Sequence, residues 1–148
     1  MHVAVASDHA GFLLKKVVLE AVQKAGHEAI DLGTNSPDRV DYPDFAEKAC
    51  RVILAGKAER GILICGSGVG VCIAANKMKG IYASVCHDTY SAHQGVEHDK
   101  MNVLCLGGLI IGAELATELV NTFLSAQFSG IDRFQKRIDK VHALEDKG

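Results

Sequence analysis

The chain has 148 residues, 48% of them apolar, and 16 basic against 18 acidic residues give a formal net charge of −2. That balance excludes the electrostatic footprint of a nucleic-acid or membrane-surface binder, and no apolar run approaches the ~20 residues that span a bilayer. The length fits a single domain over residues 1–148 with a sizeable core.

Short apolar runs alternate with helical periods along the chain. "HVAVAS" (His2 to Ser7) reads as a buried strand. Leu14, Val17, Val18, Ala21, Val22 and Ala25 then recur at helical spacing, and Gly26 stands where that helix should stop. "EAIDLG" is a second strand, and "TNSPDRV" is a loop by its turn residues. Pro43 suits a first helical turn, where its missing N–H costs nothing. Ala46, Ala49, Cys50, Ile53 and Leu54 form the apolar stripe of that helix, which should end at Gly56. "GILIC" is a third strand, followed by a short helix running to about Met78. "GIYASVC" is a fourth strand and "TYSAHQGVEH" the helix after it. "NVLCLG" is a fifth strand. Ala116, Leu119, Val120, Phe123 and Leu124 mark a long helix, and Phe134, Ile138 and Val141 mark a last one. Alternation of this kind predicts one doubly wound, Rossmann-like α/β domain. Its five parallel strands would carry helices on both faces, with a C-terminal helical extension.

The start, "MHVAVASDHAG", has neither a basic region nor a long apolar segment, so no secretory leader is expected. Five cysteines without a C-x-x-C pair point to reduced thiols and a cytoplasmic setting.

Ligands of such sheets bind beyond the carboxyl ends of the strands. The residues to inspect there are Asp8 and His9, Cys65 to Gly70, His87 and Asp88, and Gly107 and Gly108. "CGSGVG" turns from a strand into a helix, so its backbone N–H groups should face outward as a nest for an anion or a developing oxyanion. A tight strand-to-helix turn with no ligand is the plainer alternative. Three known motifs are excluded. A dinucleotide fingerprint needs glycine where Val71 stands, a Walker loop needs Gly-Lys-Ser/Thr, and a C-x5-R phosphatase needs arginine at Val71. What remains is a thiol at the start of a helix, a place that favours thiolate and lets Cys65 act as nucleophile or base. Cys50, Cys72, Cys86 and Cys105 are expected to be small core residues.

The pieces "SDHAG" (7–11), "DLGT" (31–34), "DYPDFA" (41–46), "GILICGSGVGVCIAANK" (61–77) and "EHDKMNVL" (97–104), with Arg133 and Arg137 in the tail, span nearly the whole chain. Together they resemble the type B ribose-5-phosphate isomerases and the related galactose-6-phosphate isomerases. The resemblance implies aldose–ketose isomerisation of a sugar phosphate, as in the pentose phosphate pathway, through a cis-enediolate and with no metal or organic cofactor. On the matching positions, Cys65 would be the base that moves the proton between C2 and C1. Ser67 and the amides of Gly66, Gly68 and Gly70 would form the anion hole. Asp8 would exchange protons with the sugar oxygens, and His98 would assist ring opening. His9, Arg133 and Arg137 would hold the phosphate. Tyr42 would line the sugar pocket. Each has a bland alternative: Asp8 as a helix cap, His98 as a helix-end histidine, the arginines as a solvated face, Tyr42 as a packed turn residue. His2, His27, His87, His93 and His142 are expected at the surface.

Three positions depart from the family pattern. Leu109 stands where many relatives carry arginine, Asp99 where asparagine is common, and "SGIDRF" replaces "GGRH". They bear on sugar identity, Asp99 as a further substrate contact, more than on reaction type. The resemblance also implies a homodimer with shared active sites, able to pair further into a tetramer. An isomerase of another sugar phosphate, a non-catalytic sugar-phosphate-binding module and a thiol redox protein are the competing readings. The last would need a resolving cysteine, and Cys72 lies seven residues from Cys65.

Overall fold

A computed structural model describes residues 1–148. The elements run β1 (His2–Ser7), α1 (Phe12–Lys24), β2 (Glu28–Asp31), α2 (Tyr42–Leu54), β3 (Arg60–Cys65), α3 (Val69–Ala75), β4 (Ala83–Val85), α4 (Thr89–Asp99), β5 (Val103–Gly107), α5 (Ala113–Ser125) and α6 (Asp132–Lys147). The five strands form one sheet in the order β2-β1-β3-β5-β4, and every pairing is parallel. This is the doubly wound arrangement the alternation predicts.

The strand side chains alternate between two cores. Val3, Val5, Ile62, Ile64, Leu104 and Leu106 face α1, α4 and α5. Ala4, Ala6, Leu63, Cys65, Val103 and Cys105 face α2 and α3. Strands apolar on both faces need cover on both, and that is why the helices divide. Burying each Leu or Ile side chain contributes about 1.5–3 kcal/mol. The last helix lies outside these layers: Phe134 and Ile138 bury its inner stripe, and it packs on α4.

Several elements are shorter than expected: β2 ends at Asp31 rather than Gly33, and the larger differences are in β4 and α3. The fourth strand keeps only Ala83–Val85, because side chains from elsewhere take up the backbone before it. Asn102 Oδ1 accepts from the Tyr82 N–H (2.8 Å) and its Nδ2 donates to the Gly80 carbonyl (2.9 Å). The α3 helix stops at Ala75 rather than Met78. Asn76 then turns its side chain to β4, accepting from the Ala83 N–H at 2.8 Å and donating to the Ala83 carbonyl at 2.9 Å. An amide side chain there behaves like a short extra strand on an open sheet edge.

Candidate active site

The turn after β3 is held by its own carbonyls. Cys65 and Gly107 are in register at the ends of their strands, and the chain beyond Gly107 folds back over the turn. The Cys65 carbonyl accepts from the Gly108 N–H (2.8 Å), and the Gly66 carbonyl accepts from the Leu109 N–H (3.0 Å). A trans peptide points its N–H opposite to its C=O. The N–H groups of Gly66 and Ser67 therefore face away from this clamp. They have no acceptor within the chain, and neither have those of Gly70 and Val71 in the first turn of α3. The expected nest is thus only partly a cluster of free donors: the Gly66 and Gly70 amides are free, joined by those of Ser67 and Val71, whereas the Gly68 amide is taken up by Cys65 Sγ.

Gly68 adopts φ +83°, the left-handed region that lets the chain reverse into α3, and a Cβ there would lie 3.0 Å from the Leu106 carbonyl carbon. Its N–H donates to Cys65 Sγ at 3.2 Å. Cys65 is 4% exposed. Ser67 is exposed, and its Oγ accepts from the Val69 N–H (3.2 Å), which leaves the hydroxyl proton free to donate.

Asp8 follows β1 on the neighbouring strand and is 6% exposed. Its Oδ1 accepts from the Gly11 N–H (3.0 Å), closing the turn that precedes α1 rather than capping the helix, whose N-cap is Gly11. The other oxygen has no partner in the chain. Gly11 must be glycine, because a Cβ would sit 2.5 Å from the Ile64 carbonyl oxygen. His9 Nδ1 accepts from the Val40 N–H (3.2 Å), which places the ring proton on Nε2. Tyr42 opens α2 with its ring against Gly70, where a Cβ would come within 2.8 Å of Cε1. Asp8, His9, Tyr42, Cys65 and Ser67 thus gather at the carboxyl ends of β1 and β3. Leu109 and Ile110 rim the same place and are 78% and 62% exposed.

The remaining expected site residues form a second group. His98 lies in the last turn of α4, stacked on Phe134 of α6 with ring centroids 4.0 Å apart. Gln94, one turn earlier, places Nε2 at 2.9 Å from His98 Nδ1. The guanidinium carbons of Arg133 and Arg137 lie 4.7 and 5.8 Å from the Phe134 ring centre. Neither arginine is in an ion pair, so both are free to meet an anion. Asp99 and Arg137 share a cavity of about 190 Å³ with Tyr82 and His142.

The two groups do not meet in one chain. A crossover helix runs antiparallel to the strands, so the end of α4 lies at the opposite edge of the sheet from the end of β3. The helix has 11 residues and spans about 16 Å at 1.5 Å per residue.

Several sequence-based assignments change: His27, His93 and His142, expected at the surface, are half-buried, and two further residues differ more. Cys50, Cys86 and Cys105 are buried core residues as expected, whereas Cys72 is half-buried. A hydrogen bond from the Cys105 thiol and one from the Val85 backbone outweigh its burial and bring the Cys72 thiol down to about 7. His87 is not a surface histidine. Its Nε2 accepts from the Gly107 N–H at 3.0 Å, and burial lowers its pKa below the usual imidazole value. The rule that residues after strands deserve inspection does single out His87; nothing in the residue type separates it from a surface histidine. No group of three or more His, Cys, Asp or Glu side chains is placed to hold a metal ion. No helix is long and apolar enough to cross a membrane.

A parallel α/β sheet with a buried thiol and a cluster of free amides beyond its strand ends is an arrangement able to bind an anionic ligand. The family described as Ribose/Galactose Isomerase matches residues 3–141. Ribose-5-phosphate isomerase B of Escherichia coli is 42% identical over 145 residues, covering 98% of this chain and 97% of that protein. The solved ribose-5-phosphate isomerase B of Clostridium thermocellum superposes with a TM-score of 0.95 at 42% identity, covering 99% of each chain. That of Mycoplasma genitalium, solved with bound ribulose-5-phosphate, gives 0.91 at 40% identity, covering 99% of this chain and 97% of that one. The chain belongs to the ribose/galactose isomerase family and is a sugar-phosphate isomerase.

Proposed function

We propose that the protein interconverts ribose 5-phosphate and ribulose 5-phosphate through a cis-enediolate, with Cys65 as the general base. The observation that carries this reading is the pairing of the Cys65 sulfur, held by the Gly68 N–H at 3.2 Å, with the free amides of the turn that follows it. A base that removes the C2 proton leaves negative charge on the sugar oxygens. Fixed donors in a water-poor pocket act most strongly on charge that appears only in the transition state. The Gly66, Ser67 and Gly70 amides and the Ser67 hydroxyl supply those donors. The free oxygen of Asp8 shuttles protons between O1 and O2, and Cys65 returns its proton to C1. Tyr42 closes the sugar pocket beside Gly70.

The phosphate and the sugar ring need groups that this turn lacks. His9 offers Nε2–H from one side. The separation of the two groups favours a homodimer in which His98, Asp99, Arg133 and Arg137 of one copy complete the site around Cys65 of the other. His98 would assist opening of the furanose, and the two unpaired arginines would hold the phosphate with charge-assisted hydrogen bonds. The exposed apolar rim of Leu109 and Ile110 is suited to burial against a second copy. A soluble cytoplasmic enzyme of this kind would need no nucleic acid or membrane.

The test is a metal-free assay of ribose 5-phosphate conversion by the wild type and by Cys65→Ala. Loss of a general base typically costs ~10²–10⁴-fold. The variant is expected to lose turnover on that scale while still binding ribose 5-phosphate by calorimetry. Near-normal turnover would remove Cys65 from the mechanism. An inactive wild type would remove ribose 5-phosphate as substrate.

A further inference from the structure

The free N–H groups of Gly66 and Ser67 point outward because the carbonyls of Cys65 and Gly66 are pulled inward by the Gly108 and Leu109 amides. The aim of the nest therefore depends on where residues 107–109 sit. Gly107 is the root of that clamp. Its carbonyl accepts from the Ile110 and Ile111 N–H groups (3.0 and 3.1 Å), which rolls residues 107–111 into a turn. It also lies against the Ser67 peptide, where a Cβ on Gly107 would be 2.9 Å from the Ser67 carbonyl.

One side chain holds this root. The Gly107 N–H donates to His87 Nε2 at 3.0 Å. A backbone N–H can only donate, so Nε2 must be unprotonated and the neutral ring carries its proton on Nδ1. The ring is half-buried just beyond β4, so it ties the end of the edge strand to the end of β5. We propose that His87 is a positioning residue for the isomerase reaction: by accepting the Gly107 N–H it anchors the 107–109 clamp and so aims the Gly66 and Ser67 donors at the enediolate oxygens. This role rests on the isomerase reading above. His87 itself touches no reacting atom.

The chemistry predicts where the effect falls. Donors that meet charge only in the transition state govern kcat more than KM. Removing an oxyanion donor outright costs ~10²–10³-fold in kcat, and misaiming two of them should cost roughly 10-fold or more. Glutamine can present an oxygen acceptor about where Nε2 lies, and leucine cannot.

The experiment has two arms on the full-length protein. In ¹⁵N-labelled wild type, a scalar coupling across the hydrogen bond between the Gly107 amide nitrogen and His87 Nε2 is expected, with the ring proton on Nδ1. In His87→Leu, the Gly107 and Gly108 amides should exchange with solvent at least several-fold faster. In the kinetic arm, His87→Leu should lower kcat roughly 10-fold with KM nearly unchanged, and His87→Gln should return to within a few-fold of wild type. An absent coupling, or unchanged exchange of Gly108 in a folded His87→Leu, overturns the anchor whatever the activity. Equal losses in the leucine and glutamine variants, or a loss confined to KM, overturn the aiming role. If the wild type fails to isomerise ribose 5-phosphate, that reading falls alone, and the spectroscopic arm still decides whether His87 anchors the clamp.

Discussion

The turn after β3 and the ledge formed by α4 and α6 hold their functional side chains by different means. Around Cys65 the work is done by backbone: carbonyls clamped by Gly108 and Leu109, an amide on the sulfur, a left-handed glycine. On the ledge, His98 rests on the Phe134 ring, and two arginines lie against that ring without carboxylate partners. A backbone cup leaves little freedom, which suits groups that must meet developing charge. A ledge of long, unpaired side chains suits a surface that becomes ordered only when something binds or docks there. On the proposed reading, the cup is the part of the site that one chain completes, and the ledge is the part that a second copy would bring.

The comparison is broken or sharpened most directly by mixing two inactive variants, Cys65→Ala and His98→Ala. If the cup of one copy works with the ledge of another, a mixed dimer has one doubly defective site and one intact site. Random pairing makes half the dimers mixed, so co-refolding should restore about a quarter of wild-type activity. A mixture that stays inactive while mass measurement detects mixed dimers would mean that cup and ledge do not serve one site.

A smaller effect is expected at the ledge itself. If Arg137 holds the phosphate, Arg137→Ala removes one charge-assisted contact, worth about 1.5–3 kcal/mol, or roughly 10–100-fold in KM for ribose 5-phosphate. Thermal stability should hardly change, because the side chain is exposed and makes no ion pair. Equal losses with a sugar lacking the phosphate would assign Arg137 to packing against Phe134 instead.

The cup was the more legible of the two in the sequence. Glycines after an apolar run mark a strand-to-helix turn, and strand-end placement finds Asp8, His9 and Cys65 without any long-range knowledge. The ends of β1, β3 and β5 fall where the apolar runs end. The ledge carries no comparable signal. Arginines at i and i+4 on a helix look like any solvated face, and only the resemblance to a family singles out His98. The shortened β4 was hidden for another reason. Asn76 and Asn102 replace strand pairing with side-chain amides, and an asparagine near a strand gives no sign of which backbone group it will take. Cys72 packs against the core but stays half-buried, beside the edge strand β4, where its Sγ donates to the Ala83 carbonyl at 3.5 Å.

The smallest expected effect divides the cup into backbone and side-chain parts. A Cβ on Gly11 would lie 2.5 Å from the Ile64 carbonyl oxygen and 2.7 Å from its carbon, both backbone atoms in the middle of the sheet. The strand cannot yield, so Gly11→Ala should cost about 1–3 kcal/mol, the usual range for overpacking. At roughly 2–4 °C per kcal/mol for a chain of this length, Tm should fall visibly. A Cβ on Gly70 would come within 2.8 Å of Tyr42 Cε1, but Tyr42 is 40% exposed and its ring can swing outward. Gly70 also sits in the first turn of α3, where alanine keeps part of the about 0.8–1.0 kcal/mol advantage over glycine that it has in a helix interior. Gly70→Ala should therefore leave Tm unchanged or slightly raised. Its effect should appear as a few-fold rise in KM if Tyr42 closes the sugar pocket. A fall in Tm as large as that of Gly11→Ala would mean that the Tyr42 ring is as fixed as the sheet. An unchanged KM would mean that Tyr42 only packs against the turn.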